Sequence, residues 1–106
     1  MKTIRTKSGM AVNITVAAIS LIQGYANEKR FGKMVLLPCR DGYSGEARFL
    51  VGYDKPENLE FVDTLDLGAI IVSIHASPEI EYLLRRHVVD ATGNRLVMVP
   101  RPEESY

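Results

Sequence analysis

The sequence predicts an α+β fold, namely an antiparallel or mixed sheet of five to seven short strands with two helices packed on one side. Short apolar runs rich in β-branched residues alternate with turn signals, and two segments instead place apolar residues at helical spacing. The predicted order is β-β-α-β-β-β-β-α-β, without any repeat in the sequence. The length of 106 residues fits a single globular domain over 1–106, in which residues 100–106 are expected to form a loose polar tail.

The N-terminal half supplies most of the predicted strands. A short turn containing Gly9 joins the first two, and the second alternates apolar and polar positions, as a half-buried strand does. The polar loop 39–45, with two glycines, separates the next pair. The predicted elements are strands over 2–6 and 10–16, a helix over 16–30, and strands over 33–38, 46–53 and 59–64.

Residues 69–88 give the clearest signal, a strand that runs directly into a helix. The apolar, β-branched run 69–75 predicts a strand covered on both faces. Ser77 is the predicted N-cap of a helix over 78–88, and Pro78 fits its first position. With a last strand over 95–100, this unit indicates a right-handed crossover between parallel strands. Its predicted core consists of Ile70, Val72, Ile74, Leu83 and Leu84.

The net charge of zero conceals an asymmetry between the two halves of the chain. Residues 1–53 carry eight basic and three acidic residues, whereas residues 54–106 carry five basic and ten acidic ones. Acids also recur at every third position in one segment: Asp54, Glu57, Glu60, Asp63 and Asp66. This asymmetry indicates an interaction surface, unless the two halves mix in the fold and the field averages out.

Composition also restricts location and chemistry. A single cysteine excludes an internal disulfide and suits a reducing cytoplasm, and no apolar run reaches the length of a membrane span. Two histidines twelve residues apart and one cysteine match no zinc spacing, and phosphate-binding glycine motifs are missing. The basic stretch 29–33 fits a solvated helix end better than a nucleic-acid site, given a pI near 6.7. We therefore expect a cytoplasmic protein without cofactor, metal or nucleic-acid partner.

By elimination, the sequence predicts a small non-enzymatic protein that acts through protein–protein contact, as a regulator, inhibitor, adaptor or immunity-type protein. Arginine and tyrosine are enriched at interfaces, and the acidic row suits a partner with a basic surface. Exposed strand edges favour pairing of two copies, so a homodimer is also expected. The predicted interaction surface is Arg40, Asp41, Tyr43, Tyr53, Asp54, Glu57, Glu60, Asp63 and Asp66.

The alternative is a small enzyme or ligand-binding domain that uses Cys39, Asp41 and His75, which could converge as a nucleophile, an orienting acid and a base. The start of the second helix, at Ser77, could also hold an anion. Simpler interpretations exist for these residues. Cys39 would be a small semi-buried residue, His75 would bond the loop after its strand, and Ser77 would be an ordinary cap.

Overall fold

A computed structural model describes residues 1–27, 33–54 and 61–101, and it confirms the α+β class. The predicted tail from 102 onwards, residues 28–30 of the predicted first helix and the start of the strand predicted over 59–64 lie outside these ranges. The elements are β1 (Lys2–Arg5), β2 (Ala11–Ile14), α1 (Val16–Asn27), β3 (Lys33–Arg40), β4 (Ala47–Asp54), β5 (Val62–Asp66), β6 (Ile71–His75), α2 (Pro78–Arg85), β7 (His87–Thr92) and β8 (Arg95–Pro100).

The strands form two four-stranded sheets, and the prediction of one sheet with both helices on one side was wrong. The first sheet has the order β1-β2-β7-β8 and the second β4-β3-β6-β5. In each sheet two antiparallel hairpins meet at a central parallel pair, β2 with β7 and β3 with β6. The cause is that each helix carries the chain from one sheet to the other. The predicted crossover is therefore also wrong, because β6 and β8 belong to different sheets.

The connectivity is duplicated although the sequence is not. The chain reads β1-β2-α1-β3-β4 and then β5-β6-α2-β7-β8, so each half is a ββαββ unit. The first half gives β1–β2 to the first sheet and β3–β4 to the second. The second half gives β5–β6 to the second sheet and β7–β8 to the first. Neither half completes a sheet by itself.

The strand β7 brings the number of strands to eight, more than the five to seven predicted, and its start replaces the last residues of the helix predicted over 78–88. The helix ends at Arg85, and Arg86 is its C-cap. Val88 fits the helical spacing of the preceding residues, but the β-branched pair Val88-Val89 also favours a strand. Val89 is fully buried and pairs with Ile14 and Met98 on the two neighbouring strands, so tertiary packing decides the conformation.

The strand β6 is covered on one face only, contrary to the prediction. Its burial alternates, and Ile71 is 67% exposed while Val72 and Ile74 are buried. Ile70, predicted as core, is only partly buried and packs against the core from its edge. Half-buried strands of this kind are typical of sheets with one solvated face.

Thr15 joins the first helix to the first sheet. Its hydroxyl accepts a hydrogen bond from the Ala18 N–H (3.1 Å) and donates one to the Asp90 carboxylate (2.8 Å). The Thr15 N–H also donates to the carbonyl oxygen of Val89 (2.9 Å). One residue thus caps α1 and holds the end of β2 against β7. Neither of the helices in the described ranges has the length and apolar character needed to cross a membrane.

Both sheets and both helices contribute to one hydrophobic cluster. The helix α2 buries its apolar face, including Leu83 and Leu84, as its spacing predicts. The other members come from both helices, from each of the four hairpins and from the residues next to them, and they are Met10, Val12, Ile14, Ala18, Ile19, Ile22, Leu36, Phe49, Leu65, Leu67, Val72, Ile74, Ile80, Val89 and Met98.

The edges β1 and β5 meet at a contact that we refer to as the closed seam. The turn after β1 contains Gly9, whose φ of +97° suits glycine. The Lys7 N–H donates to the carbonyl oxygen of Thr64 (2.9 Å), and both the N–H and the hydroxyl of Ser8 donate to Asp63. Asp63 is 8% exposed, so a buried carboxylate holds the two sheets together here.

Burial raises the pKa of Asp63, but hydrogen bonds from Ser8, Thr6 and Thr64 lower it by more, so the pKa lies below the usual value of a carboxyl group. The ionised form is therefore favoured by folding. The contribution of the Asp63 carboxylate to stability is complete above the pKa that this group has in the unfolded chain, about 4. That contribution is lost as the pH falls through the lower pKa of the folded protein.

Leu84→Ala should lower the free energy of unfolding by about 2–5 kcal/mol, because the side chain is fully buried and its removal leaves a cavity. Urea denaturation followed by circular dichroism measures the change. Tyr82→Ala on the same helix is the control, since Tyr82 is half exposed, and it should cost much less. An unchanged denaturation midpoint for Leu84→Ala would contradict the packing of α2.

Asp63→Asn should lower the free energy of unfolding by about 1–3 kcal/mol at neutral pH, because an amide cannot accept every hydrogen bond that the carboxylate accepts. Between about pH 5 and pH 2 the natural protein should lose stability more steeply than the variant, because only the natural protein has a carboxylate at position 63 that becomes protonated. Denaturation curves across that pH range test both statements. Asp66→Asn, at an exposed position, is the control. Equal acid sensitivity of the natural protein and Asp63→Asn would show that the seam does not depend on this charge.

Candidate functional site

The second pair of edges, β4 and β8, face each other without pairing. In the described part of the chain β4 bonds only to β3 and β8 only to β7. Two adjoining cavities of about 380 and 510 Å³ lie along the two edges and share Phe49, Leu50, Arg95 and Leu96. They form one continuous depression, which we refer to as the seam groove. The start of β8 lies beside the end of β4, so the two edges are antiparallel.

The floor of the seam groove is apolar. Phe49 and Met98 are core residues, and their inner faces belong to the same cluster that both sheets enclose. Leu50 lies on the wall of the groove. It is 49% exposed because β4 is an edge strand and no neighbouring strand in the described ranges covers this side chain. A half-exposed leucine above a buried aromatic floor gives an apolar surface that a partner side chain can cover.

One end of the seam groove is closed by α1. The Tyr25 hydroxyl donates to the carbonyl oxygen of Asn94 (2.6 Å) in the turn before β8. The Tyr53 hydroxyl on β4 donates to the carbonyl oxygen of Tyr25 (3.4 Å). Tyr53, predicted as an interaction residue, therefore lines the groove and also connects β4 to the helix.

The other end opens beside the loop between β3 and β4. The prediction of a loop over 39–45 was partly wrong. Cys39 and Arg40 belong to β3 and pair with residues of β4, so the loop begins after Arg40. The Arg40 guanidinium donates to the carbonyl oxygen of Gly45 (2.9 Å), and both residues line the groove. Tyr43, at the tip of the loop, is fully exposed.

Asp41 organises this loop. Its carboxylate accepts hydrogen bonds from the backbone N–H groups of Tyr43 (2.7 Å) and Ser44 (3.0 Å), and the Arg48 guanidinium lies 3.1 Å away. The N–H of Ser44 and then that of Tyr43 lower the pKa of Asp41, and the charge of Arg48 adds to this effect. The carboxylate thus holds the backbone of this loop in place.

Positive charge surrounds the groove. Among the described residues, three arginines line it, Arg40, Arg48 and Arg95, against one acid, Glu46. His87 is a further lining residue, and its Nδ1 atom lies 2.8 Å from the carbonyl oxygen of Leu83. The lining therefore carries excess positive charge at neutral pH.

The acidic row predicted as an interaction surface does not form one surface. Glu57, Glu60 and the side chain of Asp54 lie outside the described residues. Asp63, predicted to be exposed, is buried at the closed seam, because strand alternation turns it inward. Asp66 is exposed, and its carboxylate accepts the N–H of Gly68 (2.9 Å).

The alternative site is only partly assembled. Cys39 and His75 line one cavity of about 520 Å³ beside Ser77, at the ends of the parallel strands β3 and β6. Asp41 does not line this cavity, so the predicted set of three residues is not brought together. The Ser77 hydroxyl accepts the N–H of Ile80 (3.4 Å), which is ordinary helix capping. No group of metal-ligating side chains occurs within residues 1–27, 33–54 and 61–101.

Sequence reasoning missed most of the groove. Leu50 and Phe49 carry no local signal of a position at an edge, since the positions of strands within sheets depend on contacts between distant segments. An arginine at the start of the last predicted strand is the one hint that the sequence offers. Compared with protein-family models, with curated proteins and with solved structures, the chain matches none of them.

Proposed function

We propose that this protein is a non-enzymatic binding module that takes up an extended segment of a protein partner along the seam groove. The observation that carries the proposal is the pair of unpaired edges, β4 and β8, on either side of an apolar floor. The two edges approach within 8 Å of each other, too close for a further strand to enter between them, so we place the segment over the groove, where it can bond to backbone N–H and C=O groups that the edges leave unpaired. The loop with Tyr43 adjoins the open end and adds a second contact.

The two kinds of contact have different roles. Backbone hydrogen bonds to an edge strand supply affinity for any extended chain. Specificity comes from the side chains, because successive residues of the segment point in turn toward the floor at Phe49 and toward the outer side, where Leu50 lies. This division suits a regulator, inhibitor, adaptor or immunity-type protein. The proposed location is the reducing cytoplasm, which suits the lone thiol of Cys39.

Leu50→Glu should abolish the binding of extended peptides, because it places a charge on the apolar wall of the groove. The probe is a phage-displayed library of short random peptides, selected on the immobilised natural protein. Peptides enriched on the natural protein should fail to bind Leu50→Glu.

Ile71→Glu is the matched control. Ile71 is an exposed apolar residue on a strand of the second sheet, but it does not line the groove. Enriched peptides should bind this variant as they bind the natural protein, and thermal unfolding should show that both variants are folded. Peptides that still bind Leu50→Glu, or that lose binding to both variants, would contradict the seam groove as the site.

The same free edges support the homodimer as a separate proposal. Two copies can pair edge to edge about a two-fold axis, which would cover Leu50 in the absence of a partner. Light scattering should then give twice the monomer mass of 11.8 kDa at high concentration. A selected peptide at saturation should return the mass to that of a monomer, because both occupy the same edges. A monomer at every concentration would contradict the homodimer and leave the peptide site in place.

A further inference from the structure

The arrangement of charge along the seam groove has a consequence for the partner. Arg40 and Arg48 stand near the open end, and Arg95 stands beside both cavities, toward the end that Tyr25 closes. Between them the lining is apolar. We infer that the segment bound there is acidic at its ends and apolar in its middle, an inference that rests on the proposed function.

The length of the groove sets the length of this segment. It follows β8, which has six residues and so corresponds to about 20 Å of extended chain. A segment of six or seven residues therefore places its first and last side chains beside arginines at the two ends. Because the segment is extended, its apolar residues alternate and reach the floor at Phe49.

Arg48 remains able to bind the segment although it pairs with Asp41. A guanidinium has five N–H donors, and its distance of 3.1 Å to Asp41 engages one of its nitrogens. The side chain is 46% exposed, so solvent screens the attraction and each ion pair contributes modestly. Three such pairs together correspond to about tenfold in affinity.

Three synthetic heptapeptides test the inference. They share the middle Val-Thr-Val-Thr-Val and carry Glu, Gln or Lys at both ends, each with a fluorophore on a neutral linker. Fluorescence anisotropy gives the dissociation constants. The Glu peptide should bind about tenfold more tightly than the Gln peptide, the Lys peptide should bind most weakly, and rising salt should reduce the differences.

Arg95→Gln should reduce the advantage of the Glu peptide over the Gln peptide by about twofold, because it removes one of three similar ion pairs, and leave the binding of the Gln peptide unchanged. Arg85→Gln is the matched control, since Arg85 is an exposed arginine on α2 that does not line the groove, and it should leave the advantage unchanged. Equal binding of all three peptides at the groove would overturn the acidic segment and leave the proposed function standing. Failure of all three, together with failure of the phage selection, would overturn the proposed function itself.

Discussion

The parallel pairing of β2 with β7 is the constraint on which the rest of the fold depends. It joins the first hairpin of the chain to the last, with Ile14 opposite Val89, and Thr15 reinforces it through the Asp90 carboxylate. The pair of β3 with β6 does the same for the second sheet. With both pairs fixed, each helix must cross from one sheet to the other, and their apolar faces meet in one core.

The duplicated connectivity places equivalent strands at the two seams, β1 with β5 and β4 with β8, yet the seams differ. At the first, a short turn brings Ser8 to Asp63, and a buried network of hydrogen bonds joins the sheets. At the second, Tyr25 is the one bridge between the edges that the described residues provide, through Asn94 and Tyr53 at one end. Side chains, rather than topology, thus determine which of the two seams is joined by a buried network of hydrogen bonds.

Local signals predicted much of the fold. The turn before Met10, the cap at Ser77 and both helix starts follow from neighbouring residues, and the structure has them in place. The assignment of strands to two sheets depends on contacts between distant segments, and β7 was hidden because helical spacing continues to Val88. For the same reason the sequence identified residues around the groove, such as Arg40, without identifying the groove, which exists only where β8 lies beside β4.

The division of each sheet between the two halves of the chain also determines when the protein can fold. Thr15 and Asp90 are 75 positions apart, so a chain that leaves the ribosome from its N-terminus makes β2 long before β7 exists. During that time the apolar faces of the first two hairpins have no covering strand. Closing so long a loop is entropically costly and slow. The first sheet can therefore form only after β7 has been synthesised, and until then the N-terminal half exposes apolar surface, a condition that favours aggregation.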